Sequence, residues 1–204
     1  MRGWVFTILL GISTASWAGE TFLIPDFNPK PIYPRGLLRA GIVGEVRVQF
    51  TVSADGLVRD VSIVQSDHPD LAEAAQVAVE QWRFQPWTVG SGKPAQQLVV
   101  APMIFNYDKY LPLHLNQWLK AVKCRDLREW AATVAEHSWA DAPVFHRTRA
   151  YLTNSFSSAQ LPNERRLALI AKLNRRIPQI VRQCQSSPVS RYSRLLPREI
   201  RQLL

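Results

Sequence analysis

A strictly alternating segment followed by a turn sequence constrains the fold of this chain more than any other feature. Between Glu45 and Val52, apolar and polar residues alternate, which predicts a strand with one buried face. Residues 53–56, Ser-Ala-Asp-Gly, predict a tight turn, because Gly56 can take a positive φ freely. Residues 57–65 follow as a second strand, so the whole segment predicts a β-hairpin.

A helix and a third strand follow the hairpin. Asp70 and Glu73 have the spacing of a capping box, and apolar residues then recur at intervals of three and four. Pro86 predicts that this helix ends by Gln85. Residues 98–107 predict the third strand.

The directions of these elements predict the order of the strands. The helix returns the chain so that the third strand, like the second, runs antiparallel to the first. We therefore expect a three-stranded antiparallel sheet in the order second, first, third. Pro102 agrees with an edge position for the third strand, because proline lacks the N–H of a ladder. The apolar phase of the second strand slips between Val58 and Val61, which indicates a bulge.

The third strand supplies the candidate binding site. An edge strand leaves N–H and C=O groups open, and these must be blocked or given a partner. An extended peptide that adds as a further strand would use them. The alternative is a plain core strand whose edge is covered by the C-terminal half. The residues of the candidate edge are Gln97, Leu98, Val99, Val100, Ala101, Met103 and Ile104.

Four aromatic residues near this sheet have two interpretations. They could form a platform for a ligand, or they could close a small core, since each aromatic side chain buries a large area. We expect Trp82 and Phe84 to be core residues and Tyr33 to pack under the sheet, while Trp87 stays open between the two.

Residues 1–18 contain the parts of a secretory signal peptide. Arg2 precedes a short apolar core at residues 5–12, and small residues precede a cut ahead of Gly19. The alternative is an uncleaved anchor, for which residues 4–18 are short, because the hydrocarbon core is about 30 Å thick. Export places the mature chain in an oxidising compartment.

The two cysteines, Cys124 and Cys184, predict a disulfide in such a compartment. Closing a loop of this length would stabilise the fold by about 4 kcal/mol on the chain-entropy model. The alternative is a nucleophilic or metal-binding thiol, which no neighbouring His pattern supports.

The C-terminal half is basic, and its apolar spacing predicts helices only. Residues 19–108 carry 7 basic and 10 acidic side chains, whereas residues 109–204 carry 17 basic and 6 acidic ones. Apolar spacing predicts five helices, the fourth of which runs from Pro162 and ends before Pro178. The basic clusters are either solvated helix faces or contacts for anionic lipid headgroups, acidic glycans or an acidic protein.

Several short motifs occur in an order that resembles a known family, the C-terminal domain of TonB-type energy transducers. The resemblance covers residues 33–108. It implies a periplasmic α+β domain of strand–strand–helix–strand fold. It also implies binding of an extended peptide, the TonB box of outer-membrane receptors, by strand addition. The motifs are Tyr33-Pro34, Gly44 to Val52, Asp55-Gly56, Trp82 to Pro86, Gly92-Lys93-Pro94 and Pro102 to Phe105.

The chain departs from the family pattern before this domain. Family transducers keep an N-terminal helix with a coupling His in the inner membrane, followed by a long Pro- and Lys-rich spacer. This chain has no His before His68, and residues 19–32 span about 46 Å when fully extended. A cleaved signal would leave a soluble periplasmic module, and a retained one would anchor the domain in the inner membrane, facing the periplasm.

We therefore predict a signal peptide at 1–18, an extended Pro-containing lead-in at 19–32, a TonB-like domain at 33–108 and a basic helical domain at 109–204. The predicted function is peptide or partner binding by strand addition, linked to TonB-dependent outer-membrane transport. The alternative is a soluble interaction or scaffold module of the cell envelope without energy transduction. We predict no enzyme, cofactor, metal or nucleic-acid partner, because no nucleophile elbow, Walker loop, zinc spacing or aromatic–basic recognition motif occurs.

Overall fold

The computed structural model describes residues 23–90, 92–107, 114–153 and 161–204. The predicted signal peptide lies outside these residues, and the predicted domain boundaries stay predictions. The first part of the chain alternates strands with two helices. Its elements are β1 (Pro25–Phe27), α1 (Arg35–Ala40), β2 (Gly44–Ser53), β3 (Val58–Ser66), α2 (Pro69–Val79), β4 (Arg83–Phe84) and β5 (Gln96–Phe105).

The predicted sheet and its strand order are confirmed. The three long strands are antiparallel in the order β3–β2–β5, and β1 pairs separately with β4. The fold is therefore α+β, with β2 in the centre. The apolar residues of β2 all lie on one buried face, against which α2 packs through Leu71, Ala75 and Val79.

The helix after the hairpin differs from its prediction at its N-terminal end. His68 caps α2, because its Nδ1 accepts the N–H of Asp70 at 3.1 Å. The predicted capping box at Asp70 and Glu73 therefore begins two residues after the observed N-cap. At the other end α2 stops at Val79, within the limit at Gln85 that Pro86 sets, and Arg83 and Phe84 pair with β1 as β4.

A short helix that the sequence analysis did not predict lies between the lead-in and β2. α1 begins directly after Pro34 and ends at Gly41, which has a left-handed φ of 76° and donates to the carbonyls of Leu37 and Leu38. A proline before a short apolar run and a glycine after it are typical helix boundaries, so the signal was present in the sequence.

The rest of the described chain is helical. α6 is longer than predicted because it continues through Pro178 and buries apolar side chains on both sides of that residue, from Leu169 to Cys184. Two 3-10 segments, Glu136–Asp141 and Tyr192–Leu195, lie between the helices. The helices are α3 (Leu115–Ala121), α4 (Cys124–Ala131), α5 (Pro143–Thr153), α6 (Asn163–Ser186) and α7 (Arg198–Arg201).

The helical half attaches to the first half at the C-terminal end of α1. Asn174 and Arg166 of the helical half donate to carbonyl oxygens at this end, and Tyr107, which follows β5, donates to a third. The pairs are Tyr107 Oη to Leu38, Asn174 Nδ2 to Arg39 (2.8 Å) and Arg166 Nη1 to Gly41. The bonds from Asn174 and Arg166 therefore fasten the helical half to the C-terminal end of α1.

Within the described ranges, no helix combines the length and the apolar character needed to cross a bilayer.

Candidate functional site

β5 is the outer strand of the sheet, and its side chains alternate between the two faces. Leu98, Val100 and Ile104 lie on the open face and are 59, 50 and 62% exposed. Met103 is buried on the side of α2, and Val99 and Ala101 are partly buried there. The predicted edge residues therefore all lie in one strand but fall into two sets.

The backbone groups of β5 follow the same alternation. The N–H of Ala54 donates to the carbonyl of Ala95, beyond the end of β5, whereas the carbonyl of Glu45 accepts from Asp67, beyond the end of β3. Even-numbered residues at β2 therefore turn their backbone groups toward β5, and odd-numbered residues turn theirs toward β3.

The register between β2 and β5 then assigns the outward groups. Val48 lies opposite Ala101, and Phe50 lies opposite Val99, so these two β5 residues bond to β2. Leu98, Val100 and Ile104 point their N–H and C=O groups away from the sheet, where no further strand lies among the described residues.

Pro102 belongs to the outward set. It lies opposite Arg47, and its missing N–H therefore leaves the ladder with β2 intact. Pro102 offers an incoming strand a carbonyl only. The proline in the sequence thus already carried the signal for which alternate residues face outward, although the sequence analysis named all seven edge residues without separating them.

The two edges of the sheet differ in regularity. Along β3 the pairing with β2 is irregular at two places, between Arg47 and Val48 and between Gln49 and Thr51. Asp60 there takes a left-handed φ of 51°, so the predicted bulge is present. β5 pairs with β2 in unbroken register from Gly44 to Ser53. Because bulges hinder strand pairing, β5 is the better template of the two edges.

The aromatic residues mostly serve the core. The Trp82 ring lies edge-on to Phe50 at 5.6 Å, and its Nε1 donates to the carbonyl of Pro29 at 2.9 Å. Phe84 is buried beside both rings. Trp87 is partly buried and donates to Pro94 at 2.8 Å.

Tyr33 ties the start of the domain to the end of β5. Its ring packs edge-on against Phe105 at 5.5 Å, and its hydroxyl donates to the carbonyl of Ile42 at 2.5 Å. Burial raises the pKa of Tyr33 to about 12, so its hydroxyl stays a donor at neutral pH. Burial likewise raises the pKa of Tyr107, which bonds to Leu38.

The cysteines and histidines provide no reactive group at this edge. Cys124 and Cys184 are joined in a disulfide and fully buried in the helical half. His68 is used as a helix cap. Among the described residues, no three His, Cys, Asp or Glu side chains converge in a way that could hold a metal ion.

Comparison with known proteins agrees with this geometry. Residues 29–107 match the family described as Gram-negative bacterial TonB protein C-terminal. Protein TonB of Xanthomonas campestris pv. campestris (strain B100) is 40% identical over 76 residues, which are 37% of this chain and 34% of that protein. Protein TonB of Pseudomonas aeruginosa is 31% identical over 80 residues, which are 39% of this chain and 23% of that protein.

A solved structure is also similar. The solution NMR structure of the Pseudomonas aeruginosa TonB CTD is 27% identical, covers 46% of this chain and 95% of that chain, and has a TM-score of 0.38. This chain spans about a third and about a quarter of the length of the two relatives above.

The fold and the edge define a class of domain, a small α+β module that presents one unbroken strand to the outside. Residues 29–107 of this chain are similar to the C-terminal domain of Gram-negative bacterial TonB proteins.

Proposed function

We propose that this protein binds an extended peptide or partner protein as an additional strand on the outer edge of β5. The observation that carries the proposal is the row of outward N–H and C=O groups at Leu98, Val100 and Ile104, beside which the described chain supplies no strand. Main-chain bonds provide affinity in this mode, and alternate side chains provide specificity.

The chemistry of the edge supports an extended, partly apolar ligand. Val100 and Ile104 offer both backbone groups, Leu98 offers its N–H because its carbonyl accepts from Gln97 Nε2 at 3.0 Å, and Pro102 offers a carbonyl. Each bond formed contributes about 0.5–1.5 kcal/mol net. The exposed side chains of Leu98, Val100 and Ile104 form an apolar row beside the incoming strand. A ligand with apolar residues at every second position therefore fits the open face.

The relatives named Protein TonB support a link to TonB-dependent outer-membrane transport. On this proposal the partners are outer-membrane receptors, the ligand is a receptor segment, and the protein acts in the periplasm after export by its N-terminal segment. The Cys124–Cys184 disulfide is consistent with an oxidising compartment.

A second candidate is a soluble interaction or scaffold module of the cell envelope without energy transduction. The helical half favours it, because the family match ends at residue 107 and the helices are fastened to α1 by several hydrogen bonds. We also propose that this basic half contacts an anionic component of the envelope.

Removal of the outward N–H of Val100 tests strand addition. Val100→Pro removes one outward N–H and leaves the ladder with β2 complete. Val100→Thr changes the same side chain and keeps the N–H. We expect Val100→Pro to weaken binding of a receptor-derived peptide to the full chain about tenfold, because a donor is lost and the peptide carbonyl stays unpaired. Equal affinity of the two variants would contradict strand addition at β5.

A further inference from the structure

Two segments of the helical half form a short, strongly basic ribbon. We call residues 122–125 and 188–192 together the basic ribbon. Lys123 and Arg191 face each other in an isolated antiparallel bridge. Three backbone bonds extend the bridge in both directions: Cys124 N–H to Ser190 O (2.8 Å), Arg125 N–H to Pro188 O (2.9 Å) and Tyr192 N–H to Val122 O (3.0 Å).

The basic ribbon is held rigidly to the core. The Cys124–Cys184 disulfide fixes its first segment to the end of α6. Tyr192 anchors the second segment, because its side chain is fully buried and its hydroxyl lies 2.8 Å from Thr148 Oγ1. The exposed side chains of the ribbon therefore keep their positions relative to one another.

The ribbon holds two like charges together without compensation. Lys123 and Arg191 are directly opposite and exposed, and neither forms an ion pair with a carboxylate among the described residues. Like charges in opposite positions of a strand pair are unfavourable. Arg125 adds a third cation, and its contact with Asp126 is loose, at 3.4 Å between two exposed side chains. An anionic partner would relieve this repulsion.

The second segment of the ribbon also carries an exposed apolar side chain. Val189 is 85% exposed, and no other large apolar side chain in the described ranges 114–153 and 161–204 is comparably exposed. It lies in the turn of the ribbon, next to Pro188 and two residues from Arg191. A soluble polyanion offers Val189 no favourable environment, whereas a lipid surface offers both phosphate groups and an apolar region beneath them.

We propose that the basic ribbon is a membrane-contact site that binds a surface of anionic phospholipids, with Val189 at the apolar boundary and Lys123, Arg125 and Arg191 on the headgroups. This inference deepens the proposed anionic contact of the basic half and does not depend on strand addition at β5. Residues 109–204 carry 17 basic and 6 acidic side chains, and this excess of positive charge attracts the ribbon to such a surface.

Cosedimentation of the full chain, with its disulfide intact, with phospholipid vesicles tests the site. We expect binding to vesicles of phosphatidylglycerol and phosphatidylcholine, and none to phosphatidylcholine alone. Lys123→Gln and Arg191→Gln should each weaken binding about fivefold, and the double variant about 25-fold, since each cation near an anionic surface contributes comparably. Raising the ionic strength should weaken binding further.

Arg198→Gln is the matched control. It removes one exposed cation from the same half, but at a site remote from the ribbon. The neighbouring Glu199 pairs with Lys172 at 2.5 Å, and Lys172 lies 12 residues before Cys184, the residue of α6 to which the ribbon is joined. This is about 18 Å along the helix axis. Vesicle binding should be unchanged in this variant. A loss equal to that of Arg191→Gln would overturn the site in favour of diffuse attraction.

Val189→Ser distinguishes lipid from other polyanions. It should weaken vesicle binding at least about threefold, because less apolar area is removed from water. Binding to a soluble anionic polysaccharide should be absent or weaker than vesicle binding. Absence of vesicle binding, or a Val189→Ser variant that binds vesicles as well as the parent, would overturn the proposal. Peptide affinity measured on the same variants reports separately on β5.

Discussion

Arg39 in α1 and Asp141 in the helical half form a two-pronged ion pair. Nε to Oδ1 is 2.7 Å, and Nη2 to Oδ2 is 2.6 Å, while each side chain is 34% exposed. The hydrogen bond from Arg39 lowers the pKa of Asp141, and the bond to Asp141 raises the pKa of Arg39. With the bonds of Asn174 and Arg166, this pair makes α1 the point at which the two halves are fastened.

The pair gives stability a defined dependence on pH. Because the folded state lowers the pKa of Asp141, its contribution is complete above the unfolded pKa, about 4, and is lost as pH falls through the folded value. Asp141→Asn should lower the free energy of unfolding by about 1 kcal/mol at pH 7, and less at pH 3.

Denaturant titrations of the parent and the variant at both pH values measure this difference. Asp126→Asn is the control, because its contact with Arg125 is loose and lies within the helical half. A difference between the parent and Asp141→Asn that grows toward low pH would contradict the assignment.

Gly41 should tolerate no side chain. Its φ is left-handed, and a Cβ added there would lie 2.4 Å from Cδ1 of Ile170, which is fully buried. Gly41→Ala should therefore lower the free energy of unfolding by about 2–4 kcal/mol, from backbone strain together with overpacking. Chemical denaturation measures the change.

Gly36→Ala is the matched control, five residues earlier in the same segment. A Cβ at Gly36 meets no atom within 4 Å, and alanine favours the helix, so stability should rise by up to about 1 kcal/mol. If both substitutions lowered stability by the same amount, close contact between Gly41 and α6 would not be the cause.

The Cys124–Cys184 disulfide should stabilise the helical half. Replacing both residues with alanine should lower the free energy of unfolding by about 2–5 kcal/mol, because the unfolded chain loses a constraint over a long loop. Calorimetry with and without reductant gives the same comparison for the parent chain. Peptide affinity at β5 should stay within about twofold, since the sites are separate; a large loss would show coupling between the halves.

The central sheet could be predicted because its signals are local. The alternation from Val46 to Val52 and the turn at Gly56 determine the hairpin, and the direction of one helix then determines the strand order. The end of α2 could not be predicted in the same way, because Arg83 and Phe84 leave the helix to pair with β1, which is distant in sequence. A tertiary contact overrides the helical spacing there.

The continuation of α6 through Pro178 has a similar cause. Proline removes one intrahelical bond, but Ile177 and Ile180 on either side of it are buried in one core and hold both segments in line. For the candidate binding site, the sequence predicted the strand that became β5, and Pro102 indicated that this strand lies at an edge of the sheet. The unbroken register with β2, compared with the bulged β3, required the structure.

Amide hydrogen exchange of the full chain, with and without a receptor-derived peptide, tests strand addition most directly. In the free protein Val99, Ala101 and Met103 should be protected, and Leu98, Val100 and Ile104 should exchange rapidly, since only the first set bonds to β2. Bound peptide should slow exchange at Leu98, Val100 and Ile104. Rapid exchange at these three amides under saturating peptide would contradict the proposed binding edge.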